Sequence, residues 1–545
     1  MSRVIVKGKA VVDPLSKMAE SGTVLQEADG TVWSVMLTLT DVSFGVKGHN
    51  KFYAIQIILR DTAVHEAHVF FKWGRIGAKT PQRKLMGPMT VDAAKALFTA
   101  KFELKTENAW PLHSAAFEPV PHKYTLIELD YTGDDTDNAP TTTTAPVVDV
   151  PPSRLPPSVQ AFVKMICDVD LIAQEMAEMH LDLKRMPLGK LSKHQIDKGY
   201  AILDRISGVL QDMASLEAEK PTENDDDAEE VTRSTRRRST RKKALPTKLR
   251  TQLTKCKAQL KSLSSEFYTL VPHDFGMHLP PVIDSIWELK LKLDLLEVLS
   301  DVEITQRMIR DKAVVDMNPV DAHYASLHTE MEEVDASCDE FKRIAEYIAL
   351  THAPTHRQYA LRVDAIHRVQ REAEMSHTAL FDAVGNHQLL WHGSRLANIA
   401  SILTKGLRIA PPEAPSTGYM FGKGVYFADV ASKSANYCWA TATQTKGVLM
   451  LAEVALGKTH DVLEAEEFSY DKVERLGCDS VFGIGRMTPA TETHITYDNG
   501  VRMPKGELEP TDADGSLLYN EYVVYRTEQV RIRYVVTLHF DFTTA

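Results

Sequence analysis

Apolar and polar residues alternate in three stretches near the start of the chain: VWSVMLTLTDV (32–42), NKFYAIQIILRD (50–61) and HEAHVFFKWGRIG (65–77). A period of two is that of half-buried strands. TVDAAKALFTAKF, from Thr90 to Phe102, predicts a helix, and PHKYTLIELDY returns to the strand pattern. Residues 21–127 are therefore expected to form a small β-rich domain behind an N-terminal tail, 1–20. Residues 128–154, rich in Thr, Pro and Asp, predict an extended linker. Beyond it the period becomes helical. Val159, Phe162, Val163, Ile166, Val169, Ile172, Met176 and Met179 recur at three- and four-residue steps, one face of a long helix. Ile286, Leu289, Leu293, Leu296 and Leu299 repeat the pattern, so residues 155–315 predict an all-α bundle. From residue 325 to 545 the pattern is mixed α/β. GVLMLAEVALG reads as a buried strand, and Ile532, Tyr534, Val536, Leu538, Phe540 and Phe542 as a long strand with one wet face.

Composition adds limits. The chain has 545 residues, 43% hydrophobic and 25% charged, enough for several cores. No apolar run approaches the roughly 20 residues that cross a bilayer, and the first twenty residues lack the apolar core of a secretory leader. A soluble, intracellular protein with no membrane partner is expected. Cys167, Cys256, Cys338, Cys438 and Cys478 form no C-x-x-C pair, so no metal site is expected. The net charge of −11 argues against general nucleic-acid binding, yet residues 51–105 hold ten Lys/Arg against four Asp/Glu. An insert at 217–246 runs from acidic (ENDDDAEE) to basic (RSTRRRSTRKK), a pattern of solvated loops and of import signals.

The richest chemistry lies between Leu389 and Trp439. His392 and Gly393 close the apolar segment LLWHG, placing a ring nitrogen beside a bare backbone amide. Gly422 and Gly424 bracket Lys423 ahead of Val425-Tyr426-Phe427-Ala428. In KSANY, Ser434 and Tyr437 are three apart, one helical face, and a hydroxyl beside an aromatic ring suits a flat carboxamide-bearing ring. Gly483-Ile484-Gly485 is followed by Arg-Met-Thr and lacks the third glycine of the Rossmann fingerprint. Any NAD site must use another architecture.

The Leu389–Trp439 run resembles the NAD-binding signature of the poly(ADP-ribose) polymerases. The resemblance implies that His392 contacts the adenosine ribose, that the Gly393 backbone and Ser434 hold the nicotinamide carboxamide, and that Tyr426 and Tyr437 sandwich its ring. Ser394, Arg408, Tyr419, Phe427, Ala428 and Lys433 match further pocket positions. Glu521, in LLYNEYVVY, matches the catalytic glutamate, which with His392 and Tyr426 is the set carried by members that elongate chains. KWGRIG resembles the WGR domain, which implies contact with DNA ends or nicks through Lys72, Trp73 and Arg75; the alternative is that Trp73 fills the core and Arg75 faces a neighbouring domain. MPLGKLSKHQIDKGY and VPHDFG resemble the family's helical regulatory domain, with Asp294 and Glu297 toward the NAD pocket. The implied fold is multidomain α+β, of the short WGR–regulatory–catalytic type. The implied function is DNA-break-activated polymerisation in the nucleus, by a monomer consuming NAD+ as substrate rather than cofactor and modifying acceptor proteins including itself. Single transfer, or a catalytically inactive DNA-end scaffold, are the competing readings.

Overall fold

The computed structural model describes residues 10–542 except 47, 113–116, 129–150, 182–190, 192, 219–246, 311–316 and 417–418. Most of the expected linker, nearly all of the charged insert and the MPLGK portion of the regulatory motif lie outside the described residues.

The N-terminal unit comprises β1 (Gly22–Val24), β2 (Ser34–Asp41), β3 (His49–Arg60), β4 (Ala63–Arg75), β5 (Gln82–Met89), α1 (Val91–Thr106) and β6 (Thr125–Ile127). The sheet runs β5-β4-β3-β2-β6, with β1 also on β3, and every pairing is antiparallel. Alternation along the strands separates two faces. Leu37, Ile55, Ile57, Val69 and Phe71 pack under α1 against Ala94, Phe98 and Phe102. On the other face Ile58 and Phe70 meet Ala10, Val12, Met18 and Ala19, so residues 10–19 cover the sheet rather than trail from it. Strand β5 has no apolar alternation and its side chains are mostly exposed, so the hydrophobic pattern gave no sign of it.

The bundle contains α2 (Pro157–Ile166), α3 (Val169–Glu178), α4 (Lys193–Ala218), α5 (Thr247–Leu270) and α6 (Ile286–Arg310). The single long helix expected over 159–179 is two. Asp168 breaks it by accepting the amides of Asp170 and Leu171, the work of an N-cap. Leu203, Ile206, Leu260, Leu263, Phe267, Leu289 and Leu296 form the bundle core, and Met36, Phe52 and Ile76 of the N-terminal unit join it. Thr38 Oγ1 donates to the Thr269 carbonyl at 2.6 Å, and Asn50 Nδ2 to that of His273 at 2.9 Å. Helix α2 instead packs into the third unit, against Leu396, Ile399 and Leu403.

That unit begins with α7 (Pro319–Ser326), β7 (Thr329–Glu333), α8 (Asp339–Leu350), β8 (Tyr359–Arg371), α9 (Thr378–Val384), β9 (His387–Ser394), α10 (Leu396–Lys405), β10 (Val425–Phe427) and α11 (Ala431–Ala435). It continues with β11 (Lys446–Ala455), β12 (Thr459–Val462), α12 (Tyr470–Arg475), β13 (Ser480–Gly483), β14 (Met487–Pro489), β15 (Ile495–Thr496), β16 (Arg502–Met503), β17 (Leu508–Pro510), β18 (Glu521–Val524) and β19 (Val530–Phe542). One sheet runs β15-β16-β9-β11-β19-β8-β7 and another β10-β18-β13-β12, largely antiparallel, which is not a Rossmann arrangement. β11 is buried on both faces, as its continuous apolar run requires. β19, between β11 and β8, is drier than its alternation suggested: Thr537 is buried, and Arg533 Nε donates to Glu453 at 2.6 Å.

Candidate functional site

The two larger sheets of the third unit meet where Trp391 and Ala428 exchange backbone hydrogen bonds of 2.8 and 3.0 Å. That junction sets the exit of β9 beside β10 and the start of β18. A cleft of about 720 Å³ opens there, lined by His392, Gly393, Ser394, Arg408, Tyr419, Tyr426, Phe427, Ala428, Lys433, Ser434, Tyr437 and Glu521. Every pocket residue singled out in the sequence is brought to this one space.

Local bonds fix each side chain. His392 Nδ1 donates to the Tyr426 carbonyl at 2.8 Å, which turns Nε2 away from that carbonyl; burial holds its pKa below the usual histidine value, with the carbonyl opposing. A Cβ on Gly393 would lie 1.8 Å from the Ser434 carbonyl oxygen, so only glycine lets these two segments close up. Ser434 Oγ donates to the Trp391 carbonyl at 3.0 Å. Tyr426 is clamped through its hydroxyl, which donates to Gly422 O at 2.6 Å and accepts from Phe421 N at 3.0 Å. Tyr419 stands 6.2 Å from it, ring to ring.

Glu521 opens β18 opposite Gly483, and its carboxylate meets Lys433 Nζ at 2.9 Å. The same ammonium donates to the carbonyls of Tyr519 and Asn520, at 2.9 and 3.0 Å. Burial lowers the Lys433 pKa and Glu521 resists the shift. Behind them Asn520 Nδ2 donates to the buried Asp429 at 2.7 Å, while its Oδ1 accepts from Gly485 N at 2.8 Å. The Gly-Ile-Gly segment therefore positions the glutamate strand: a Cβ at Gly485 would come within 2.4 Å of the Tyr519 carbonyl carbon.

The opposite wall of the cleft belongs to α6, which presents Lys290, Asp294, Glu297 and Asp301. Asp301 is ion-paired with Arg408 and accepts from Ser401 Oγ at 2.8 Å. Burial nevertheless pushes its carboxyl up to about 6. Glu297 lines the cleft and stays open to solvent; the crowding carboxylates Asp301 and Asp294 raise its pKa, against Arg408. Asp294 is raised by burial, against Lys290 and Arg395. A second tie comes from α3: the buried Glu175 carboxylate accepts the amides of Leu396 and Ala397, at 3.2 and 2.9 Å, capping α10 directly after Ser394.

Sequence reading missed Glu175, Lys290, Asp301 and Asn398. Asp301 had a signal, since it follows Glu297 by four residues on one helical face. Asn398 donates to Ser394 Oγ at 3.0 Å and nothing in its local pattern marks it. Lys72, Trp73 and Arg75 lie apart from the cleft, on β4. Lys72 pairs with Asp13, and Trp73 stacks on Tyr53 at 5.9 Å. Arg75 donates to the carbonyls of Gly276 and His278, both at 2.6 Å, and so ties the N-terminal sheet to the bundle. Among the described residues no group of three or more His, Cys, Asp or Glu could hold a metal, and no helix is long and apolar enough to cross a membrane.

A cleft lined by tyrosines, a glycine and serine from adjoining segments and one carboxylate, at the junction of two largely antiparallel sheets, is the setting of an NAD+-using transferase domain. Residues 338–540 match the poly(ADP-ribose) polymerase catalytic domain, 153–324 the poly(ADP-ribose) polymerase regulatory domain and 33–116 the WGR domain. The chain belongs to the poly(ADP-ribose) polymerase family. It is 37% identical to poly(ADP-ribose) polymerase 2 of Homo sapiens, over 99% of this chain and 85% of that one. Poly(ADP-ribose) polymerase 2 of Arabidopsis thaliana is also 37% identical, over 98% of this chain and 78% of its own. For poly(ADP-ribose) polymerase 1 of Gallus gallus the figures are 37% identity, 100% of this chain and 48% of the relative. The chain thus spans about half the length of the curated type 1 relatives it matches.

Proposed function

We propose that this protein is a DNA-break-activated poly(ADP-ribose) polymerase. It consumes NAD+ as substrate, releases nicotinamide, and transfers ADP-ribose to acceptor proteins, itself included, and then to the growing chain. It acts as a monomer in the nucleus, on DNA ends or nicks. One observation carries the reading: Glu521 and Lys433 stand in the same cleft as Tyr426, Tyr437, Gly393 and Ser434.

The chemistry follows from the bond that breaks. Nicotinamide is cationic in NAD+ and leaves without a general acid, and its departure leaves positive charge on the ribose. Glu521 stabilises that oxocarbenium-like centre and polarises the incoming acceptor hydroxyl. Tyr426 and Tyr437 stack the leaving ring, Gly393 and Ser434 orient its carboxamide, and His392 holds the far ribose. On the DNA side, Arg75 joins the N-terminal sheet to the bundle, which gives an event on that sheet a route to α6. In this reading Asp294 and Glu297 obstruct NAD+ until DNA engages.

Labelled NAD+ incubated with the protein, with and without short blunt duplex DNA, tests the whole reading on a denaturing gel. A long smear that needs DNA supports it. A single discrete band indicates single transfer, and bound DNA without label indicates a scaffold.

A further inference from the structure

One buried carboxyl stands behind the reaction side of the cleft without lining it. Asp429 lies in the short link between β10, which carries Tyr426, and α11, which carries Lys433 and Ser434. It is 1% exposed, and one of its oxygens, Oδ2, accepts from Asn520 Nδ2 at 2.7 Å and from Tyr522 Oη at 3.0 Å. Those two donors are the chain neighbours of Glu521. Side chains alternate along a strand, so Asn520 and Tyr522 reach one way while Glu521 reaches the other, into the cleft. Both donors are buried and held elsewhere as well. Asn520 Nδ2 also donates to Thr488 Oγ1 at 2.9 Å, and the Tyr522 ring stacks on Phe482 at 4.7 Å.

The arrangement is unfavourable for Asp429 taken alone. Burial raises its pKa, against the bonds from Asn520 and Tyr522 and the attraction of Lys433. Among the described residues its Oδ1 has no hydrogen-bond partner in another residue. Buried polar atoms left in that state are rare, and a site's chemistry is one reason a fold keeps them. Lys433 holds the same segment from the cleft side, through Glu521 and the carbonyls of Tyr519 and Asn520. The glutamate and its main chain are thus held in front, and the two flanking side chains behind.

We propose that Asp429 is a positioning residue that fixes the Glu521 carboxylate by gripping the side chains on either side of it. The inference rests on the reading above, in which Glu521 stabilises the ribose cation. Lys433 draws that carboxylate toward itself; the grip from behind sets the backbone from which it reaches the ribose. A misplacement of about 1 Å is enough to cost about 100-fold in rate. Asp429 stands outside the lining of the cleft, so its loss acts on turnover and not on NAD+ affinity.

Nicotinamide release from NAD+ by the full chain with duplex DNA tests this, with kcat and KM taken separately. Asp429→Ala removes the acceptor, Asp429→Asn keeps an oxygen for both donors, and Tyr522→Phe removes one bond while keeping the ring. Each is made in the wild type and in Glu521→Gln. In the wild type we expect Asp429→Ala to lower kcat about 100-fold, with KM changed by less than about twofold. Tyr522→Phe should lower kcat about fivefold, the scale of one hydrogen bond, and Asp429→Asn should stay within about threefold of wild type. In Glu521→Gln none of the three should lower the residual release more than about threefold, because the group they position is gone. Equal losses in both backgrounds would overturn the inference, since the role would then be structural. So would a rise in KM with kcat unchanged, or Asp429→Asn as poor as Asp429→Ala. Should Asp429→Ala fail to fold, Tyr522→Phe in the two backgrounds decides alone. Wild-type release by Glu521→Gln itself would reject the reading of Glu521, and the inference with it.

Discussion

The two walls of the cleft are built on opposite principles. On the β9–β10–β18 side the groups assigned to substrate are answered at hydrogen-bond distance by partners from the same domain: His392 by Tyr426, Ser434 by Trp391, Glu521 by Lys433. On the α6 side Asp294, Glu297 and Asp301 crowd together, and burial drives the Asp294 and Asp301 carboxyls toward protonation. Their principal relief comes from Arg408 and Lys290, cations that face the substrate space. One wall is preorganised for chemistry; the other is held in place at an electrostatic cost. In the proposed reading the first wall is catalytic and must not rearrange during reaction, whereas the second obstructs and must be able to leave.

The sharpest break of this comparison is on the preorganised side. Glu521→Gln should reduce chain growth by about 100-fold or more, the usual scale for removing a transition-state charge stabiliser, while NAD+ still binds. Long chains on a denaturing gel from that variant would remove the assigned role. Gly393→Ala comes next, because its methyl group would meet the Ser434 carbonyl at 1.8 Å. Overpacking of this kind costs about 1–3 kcal/mol, read as a lower Tm, and NAD+ turnover should fall with it. An unchanged Tm would mean that β9 and α11 are less rigidly joined than their geometry implies.

The strained wall makes a prediction in pH. A carboxyl whose pKa is raised on docking binds more protons docked than free, so docking is strongest at low pH and weakens as pH rises. For the buried Asp301 the window runs from its ordinary 3.8 to about 6. DNA-independent activity, normalised to DNA-stimulated activity, should therefore increase between about pH 4 and 6. An increase of roughly tenfold is one pKa unit of linkage, and Asp301→Asn should flatten it. A flat wild-type profile would show that Asp301 keeps its charge when docked. The smallest effect belongs to Trp287→Ala. Trp287 is 62% exposed and gives α6 one tilted ring contact, worth about 0.5–1.5 kcal/mol at most. DNA-independent activity should rise only a few-fold in that variant, and a full loss of DNA dependence would show the contact to be the main latch.

What was legible in the sequence follows the same division. His392-Gly393, Ser434 and Tyr437 sit within a run of about fifty residues whose order marks them as one group, and they line one cleft with Glu521, which begins a recognisable strand. The α6 wall was half legible, since helical periodicity gives its face but not what the face touches. Asp301–Arg408 and Glu175–Leu396 join residues far apart in sequence and leave no local pattern. Strand β5 escaped because pairing with β4, not burial of alternate side chains, makes it a strand. Of the two glycines read as a failed dinucleotide fingerprint, Gly485 lets the segment before Glu521 approach, and Gly483 makes room for the side chains of Phe421 and Leu517.

The placement of β19 bears on how the protein is made. This strand, residues 530–542, is inserted between β11 and β8, so each of those earlier strands lacks a neighbour until it arrives. Glu521 precedes it by only nine residues. During synthesis the N-terminal sheet and the helical bundle leave the ribosome with all their strands and helices while the NAD+ cleft is still unbuilt, and domains generally fold in that order. The regulatory helices are thus complete before the strand that carries the catalytic candidate, so the wall that α6 forms is ready when the sheet facing it closes.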